Sequence, residues 1–243
     1  MPRTMPHRSE NVVTGVNSAA VSRKPVTRER ALQVAVGLAD EGGIEALSMR
    51  KLAGELGIEA MSLYYHVKNK NEILDGMVEI VVSEMAVASA DTDWKSALRE
   101  RAYSERDVLI RHPWAISEMD ARTTQATLRY HDAIIGNLRA AGFSMPMVGH
   151  ALSVVDSYVH GFALQEASLP LDPTGDISAV TEEIMAQQEM MAGTFPHLAE
   201  MGSTLILQPE YAYGNEFDFG IGLILDGIEL AHAAEVATAQ TDR

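Results

Sequence analysis

Met61, Ser62, Tyr64, Tyr65 and His66 crowd a thioether, three hydroxyls, two aromatic rings and an imidazole into six consecutive positions, with Arg50 and Lys70 nearby in the chain. Turned outward, this is a surface for binding; the alternative is a small helical hairpin with the two aromatics packed in an ordinary core. Hydroxyls can donate to phosphate or base edges, a methionine can touch a thymine methyl, and Arg and Lys can neutralise backbone charge. Leu63 and Val67, four residues apart, turn inward if the stretch is helical, leaving the polar and aromatic residues outside.

The elements that must hold this surface can be read from the flanking residues. Ser48 is a good N-cap, with Leu47 before it and Leu52 after it spaced for a hydrophobic staple. Leu52, Ala53 and Leu56 form the apolar side of the helix that follows, and Gly57 supplies the left-handed residue with which it ends. The pattern resumes at Ala60 and runs through Val67. Helix, tight turn and second helix is the arrangement that places a reading helix in the major groove of DNA.

The segment from about Val26 to Glu79, with GIEALSMRKLAGELGI followed by SLYYHVKNKNEIL, resembles the DNA-binding domain of the tetracycline-repressor (TetR) family. The resemblance implies an all-α protein: an N-terminal three-helix helix-turn-helix domain and a larger C-terminal helical ligand-binding and dimerisation domain. It also implies that Ser48, Arg50, Met61, Ser62, Tyr64, Tyr65, His66 and Lys70 face DNA. At Ala60 and Met61 the chain departs from the tetracycline repressor, which has Gln and Pro contacting bases there, so a different operator sequence is expected.

Bulk properties are compatible with this. The 243 residues are 47% hydrophobic and 22% charged, enough for two modest domains or one large one, with a sizeable core. There is no Cys, which removes disulfides, thiolate zinc sites and cysteine nucleophiles and points to the cytoplasm. No apolar run approaches the ~20 residues of a membrane-spanning helix, and no signal peptide opens the chain. The net charge of -15 is unevenly spread: residues 1–70 hold 10 Lys and Arg against 7 Asp and Glu, the remainder 9 against 27. A basic end beside an acidic body suits a DNA reader, because attraction to phosphates is local and screened.

Residues 1–24 lack periodicity but carry Arg3, Arg8, Arg23 and Lys24, and are expected to form a flexible basic arm. Residues 25–70 form the helix-turn-helix domain, opened by a helix that Thr27 caps and that ends at Glu41, Gly42 and Gly43. Asn69 and Glu72 have capping-box spacing and open a bridging helix, 71–88, into the body of residues 71–237. Beyond it, helices are expected at Trp94–Arg111, after Pro113, at Thr123–Ala141, Met147–Ala167, Ser178–Met191 and Glu216–Val236. A loop falls at Asp172–Asp176 and a frayed tail at 238–243. The resemblance is weaker here but visible in RAAGFS and the last helix.

Two stripes of small and apolar residues invite a second copy: Ala151, Val155, Val159 and Ala163, and Phe217, Ile221, Leu225 and Ile228 beside Gly220, Gly222 and Gly227. They are expected to build a four-helix homodimer interface, the alternative being burial within one subunit, and a dimer supplies two reading helices about 34–36 Å apart. The body, with its share of thirteen methionines, suits a pocket for a small-molecule effector. The resemblance implies Arg101, Glu105, Met119, Asp156 and Gln165 as its lining, with His160 one turn beyond Asp156. Met119 and Gln165 stand near the places where the tetracycline repressor grips a magnesium–drug chelate with a His and a Glu, which argues against tetracycline as effector. Asp156 and His160, with His131 and Asp132, lack an established ligand spacing, so an ion pair is expected rather than a metal, and no cofactor is implied.

The function these features converge on is a ligand-responsive transcriptional repressor, binding a palindromic double-stranded operator as a homodimer and released by a small-molecule inducer. The alternatives are an all-helical enzyme and a helical interaction module without a DNA role. Against the first stands the absence of GxSxG, P-loop, GxGxxG and zinc signatures. The second leaves Tyr64, Tyr65 and the basic end unexplained.

Overall fold

The structure is a computed structural model, which describes residues 25–87, 89, 92–169, 190, 192–208 and 210–241. The basic arm, the Asp172–Asp176 loop and, apart from Met190, the helix expected at Ser178–Met191 lie outside the described residues.

Local capping chemistry sets the first elements. Helix α1 (Arg28–Gly42) starts where the Thr27 hydroxyl accepts the Arg30 N–H at 3.2 Å and stops where Gly43 takes φ 71°. A 3₁₀ turn, Ile44–Ala46, leads to α2 (Met49–Leu56). Ser48 caps α2 by accepting from the Lys51 N–H at 3.2 Å, and Leu47 and Leu52 are both buried, as a staple requires. Gly57 closes it at φ 70°, ψ 33°, its N–H returning to Ala53 and Gly54 carbonyls.

The reading helix is shorter than the sequence pattern predicts. Helix α3 covers only Ala60–Leu63; the chain then proceeds as turns in which the His66 and Val67 N–H groups both reach the Leu63 carbonyl, at 2.9 and 3.1 Å. Two tyrosines, a histidine and a β-branched valine are indifferent helix formers, and the next cap, Asn69, follows at once. Helix α4 (Lys70–Ser83) begins where Asn69 accepts the Glu72 N–H at 2.9 Å; the Glu72 carboxylate accepts from the Lys68 N–H, one residue upstream of the capping-box donor. The bridge stops five residues before Ala88. Ser83 turns its hydroxyl onto the Ile80 carbonyl at 2.6 Å and the chain leaves the helix at Glu84.

The body is built on α5 (Trp94–Arg111), α6 (Ala115–Asp120), α7 (Gln125–Ala140) and α8 (Met145–Ser168), with α5 lying along α8. Two pieces were not apparent in the sequence. Pro196 opens a short α9 (Pro196–Met201), which passes into a π-type turn at Gly202–Ile206, and a 3₁₀ turn occupies Tyr213–Asn215. The last helix, α10 (Glu216–Thr241), stays helical through most of the tail expected to fray, with the Thr238 and Thr241 hydroxyls donating to carbonyls four residues back.

One hydrophobic core runs from the first three helices through Ile73, Leu74, Met77, Val78, Val81 and Val82 of α4 into the body. The bridge is therefore buried at both ends. The stripes expected at a dimer interface are already covered within one chain: Ala151, Val155, Val159, Ala163, Phe217, Ile221 and Leu225 are fully buried, and Ile228 nearly so. Gly220 makes room for the Tyr158 side chain, whose hydroxyl donates to the Phe217 carbonyl at 3.2 Å, rather than for a partner's backbone. What α8 and α10 leave outside is a different set, including Val154, Leu164, Phe219, Leu223 and Leu230. Among the described residues there is no strand, and no helix long and apolar enough to cross a membrane.

Candidate nucleic-acid interface and the polar core of the body

Leu63 and Val67 are sealed into the core and thereby fix which way their neighbours point. Met61 is 76% exposed, Tyr64 47% and Tyr65 88%. Ser62 and His66 are half-buried at the margins of this patch, while Ser48, Arg50 and Lys70 are exposed on the adjoining helix starts. Ser48 uses an oxygen lone pair as a cap and keeps its O–H free to donate to a phosphate. Lys70 occupies the first turn of α4, where the positive end of the helix dipole adds to its charge.

All eight expected DNA-facing residues thus have some exposed surface on the head, the N-terminal part of the fold formed by α1 to α3 and the start of α4. Lys51 and Lys68, missed in the sequence, are exposed beside Arg50 and Lys70; being next to cations already singled out was the available signal. An exposed aromatic pair held by buried aliphatics offers stacking, methyl contact and hydrogen bonding without loss of core.

In the body, Arg101 and Glu105 lie one turn apart on α5 and are only 2% and 1% exposed. Their charges are paired. Arg101 Nη2 is 3.0 Å from Glu105 Oε2 and Nη1 is 2.7 Å from Asp156 Oδ1 on α8. His160 Nε2 approaches Glu105 Oε1 at 2.9 Å, and the Tyr130 hydroxyl donates to Glu105 Oε2 at 3.0 Å. The guanidinium also lies over the Tyr130 ring, 5.0 Å from its centre. Arg101 Nε is buried without a hydrogen-bond partner among the described residues.

The electrostatics follow from this packing. Burial opposes the charge on Glu105, but Arg101, His160 and Tyr130 outweigh it and hold the carboxyl below its ordinary range. Burial likewise disfavours a charged His160, yet Glu105, then Asp156 and Asp120, raise its pKa above the ordinary value. Burial first and Glu105 second push the Tyr130 phenol well up.

Arg101, Glu105, Asp156 and His160 are brought together, with Tyr130 as a member the sequence did not reveal. Met119 is buried at the end of α6, and its neighbour Asp120 is close enough to act on His160. Gln165 is exposed on α8, and its side chain joins none of these contacts. Asp156 and His160 pair with α5 instead of each other. His131 Nδ1 lies 2.8 Å from its own helix's Thr127 carbonyl, and among the described residues no group of three or more His, Asp or Glu is placed to hold a metal.

Comparison with known proteins gives matches along both parts of the chain. A family model described as "Bacterial regulatory proteins, tetR family" covers residues 31–77, and one described as "Tetracyclin repressor-like, C-terminal domain" covers residues 88–231. The chain is 31% identical over 229 residues to the HTH-type transcriptional repressor DrrR1 of Streptomyces coeruleorubidus, spanning 89% of this chain and 82% of that one. It is 29% identical over 206 residues to the tetracycline repressor protein class C of Escherichia coli, spanning 83% and 90%. Among solved structures, one titled a possible TetR family transcriptional regulator from Streptomyces coelicolor A3(2) superposes with a TM-score of 0.64 at 30% identity, covering 84% of this chain and 99% of that one.

Proposed function

We propose that this chain, which belongs to the TetR family, is a ligand-responsive transcriptional repressor, and that the turn from Met61 to His66 is what it presents to the major groove of a palindromic operator. Ser48, Arg50 and Lys70 would anchor the flanking phosphates. The observation that carries this is the split within one turn: Leu63 and Val67 inside, Met61, Tyr64 and Tyr65 outside.

Two copies are needed, since one short reading element covers only half a site. The apolar residues that α8 and α10 leave outside, Leu223 and Leu230 among them, are the surface on which the second copy packs. The body's polar core, Arg101, Glu105, Met119, Asp156 and His160, with Gln165 further along α8, is the effector site in this proposal. An effector that prefers one tilt of α4 shifts the spacing of the reading elements and releases DNA. A differential affinity of about 5.5 kcal/mol suffices to invert the two populations. No catalytic step enters, and the cytoplasm, where bacterial DNA lies, is the working compartment.

The test is binding to a fragment from the DNA upstream of the gene, compared with random DNA across a salt series. Tight, sequence-dependent binding that weakens steeply with salt is expected. Equal affinity for both fragments at every salt concentration would refute the reading.

A further inference from the structure

The head and the body are joined by more than the bridging helix: among the described residues, three polar joints arise from one stretch of the body, residues 111–122. Asp40, in the last turn of α1, accepts at its Oδ1 from Trp114 Nε1 and lies the same distance, 2.7 Å, from His112 Nδ1. A carboxylate only accepts, so His112 carries a proton on Nδ1. Arg111 reaches Glu84, just past α4, at 2.6 Å, and Arg122 reaches Asp75, midway along α4, at 2.7 Å while bonding Glu118 at 2.8 Å. His112 and Trp114 are buried. Three acids from the head and bridge are thus gripped by one bracket of the body.

The Asp40 joint differs from the other two. Arg111–Glu84 and Arg122–Asp75 fasten the bridge, whereas Asp40 belongs to α1 and ties the body directly to the head, across 72 and 74 residues of chain. A carboxylate in the last turn of a helix faces the negative end of the dipole, and α1 has no basic residue in that turn to compensate. Its place there is made favourable by the two body donors. Because both donors converge on one oxygen, a rotation of α1 against the body disturbs both bonds at once.

We propose that Asp40, held by Trp114 and His112, is a positioning residue that fixes the angle of the head on the body and thereby sets the half-site spacing that the dimer accepts. It touches neither DNA nor effector in this role. The proposal rests on the operator-binding reading above. With the clasp open, each head still recognises its half-site but tolerates a wider range of separations.

The experiment uses a palindrome selected by the full-length wild-type chain from random DNA, together with versions in which a single base pair is added or removed between half-sites, a shift of about 3.4 Å. Affinities of wild type, Asp40→Ala and Trp114→Phe are compared on the three duplexes, with thermal melts as a control for folding. Wild type should favour the selected spacing by roughly tenfold, and both variants should fall to within about threefold while half-site affinity holds. A general loss of stability would weaken all three duplexes equally and leave the ratio unchanged. Retention of the wild-type ratio in Trp114→Phe, which keeps the helix and the packing of an aromatic ring, overturns the proposal. Failure of wild type to select any palindrome overturns instead the reading on which it rests.

Discussion

Leu63 and Tyr65 are two residues apart in one turn, the first 0% and the second 88% exposed. Substitutions at these neighbours should therefore separate folding from recognition. Leu63→Ala should cost about 2–5 kcal/mol of stability. Tyr65→Ala should leave the melting temperature unchanged and cost about 1–3 kcal/mol of operator affinity, measured by fluorescence anisotropy on specific and random duplexes.

Tyr64 and Lys70 make a second contrast, between reading and anchoring. Tyr64→Ala should weaken binding to the operator and spare random DNA. Lys70→Ala should weaken both and lower the slope of log affinity against log salt by about 1. The same response of both variants to both duplexes would mean that the reading face lies elsewhere on the head.

Ser48 has two roles that a conservative series can divide. Its oxygen accepts the Lys51 N–H, so Ser48→Ala should lose about 1 kcal/mol of stability as the α2 cap is removed. Ser48→Asp restores an acceptor but places a negative charge beside phosphate. Thermal melts should show recovery and binding assays a further loss.

The His160–Glu105 pair predicts how stability varies with pH. His160 is raised above its ordinary 6.5, so its contribution is full below that value and is lost as pH rises through the folded pKa. Glu105 is lowered from 4.5, so its contribution is present above that value and is lost as pH falls through the folded pKa. Stability from the pair is thus greatest between these limits. His160→Gln should flatten the decline on the alkaline side, as read from unfolding midpoints at acid, neutral and mildly alkaline pH. A decline of the same size in variant and wild type would place its origin elsewhere.

What could be read in the sequence was what depends on neighbours in the chain. The caps at Thr27 and Ser48, the left-handed Gly57 and the inward pair Leu63 and Val67 each follow from a few adjacent residues. Contacts across the fold were less accessible. Nothing near Asp40 predicts Trp114, and Arg101 gives no sign of Tyr130. The stripe from Ala151 to Ala163 suits a partner helix equally well within the chain or across a dimer, and the structure fills it from within. Element ends were decided by single side chains: Ser83 folding onto Ile80 shortens the bridge, and no residue after Val236 interrupts the last helix before Thr241.

In the proposed complex, two copies of the Met61–His66 turn occupy successive major grooves of one palindrome. Methylation interference on the bound duplex tests this arrangement, because guanine N7 lies in that groove. Two patches of interference about one helical turn apart, 10–10.5 base pairs, are expected, both weakened by Tyr65→Ala. A single patch, or two patches untouched by that substitution, would contradict it.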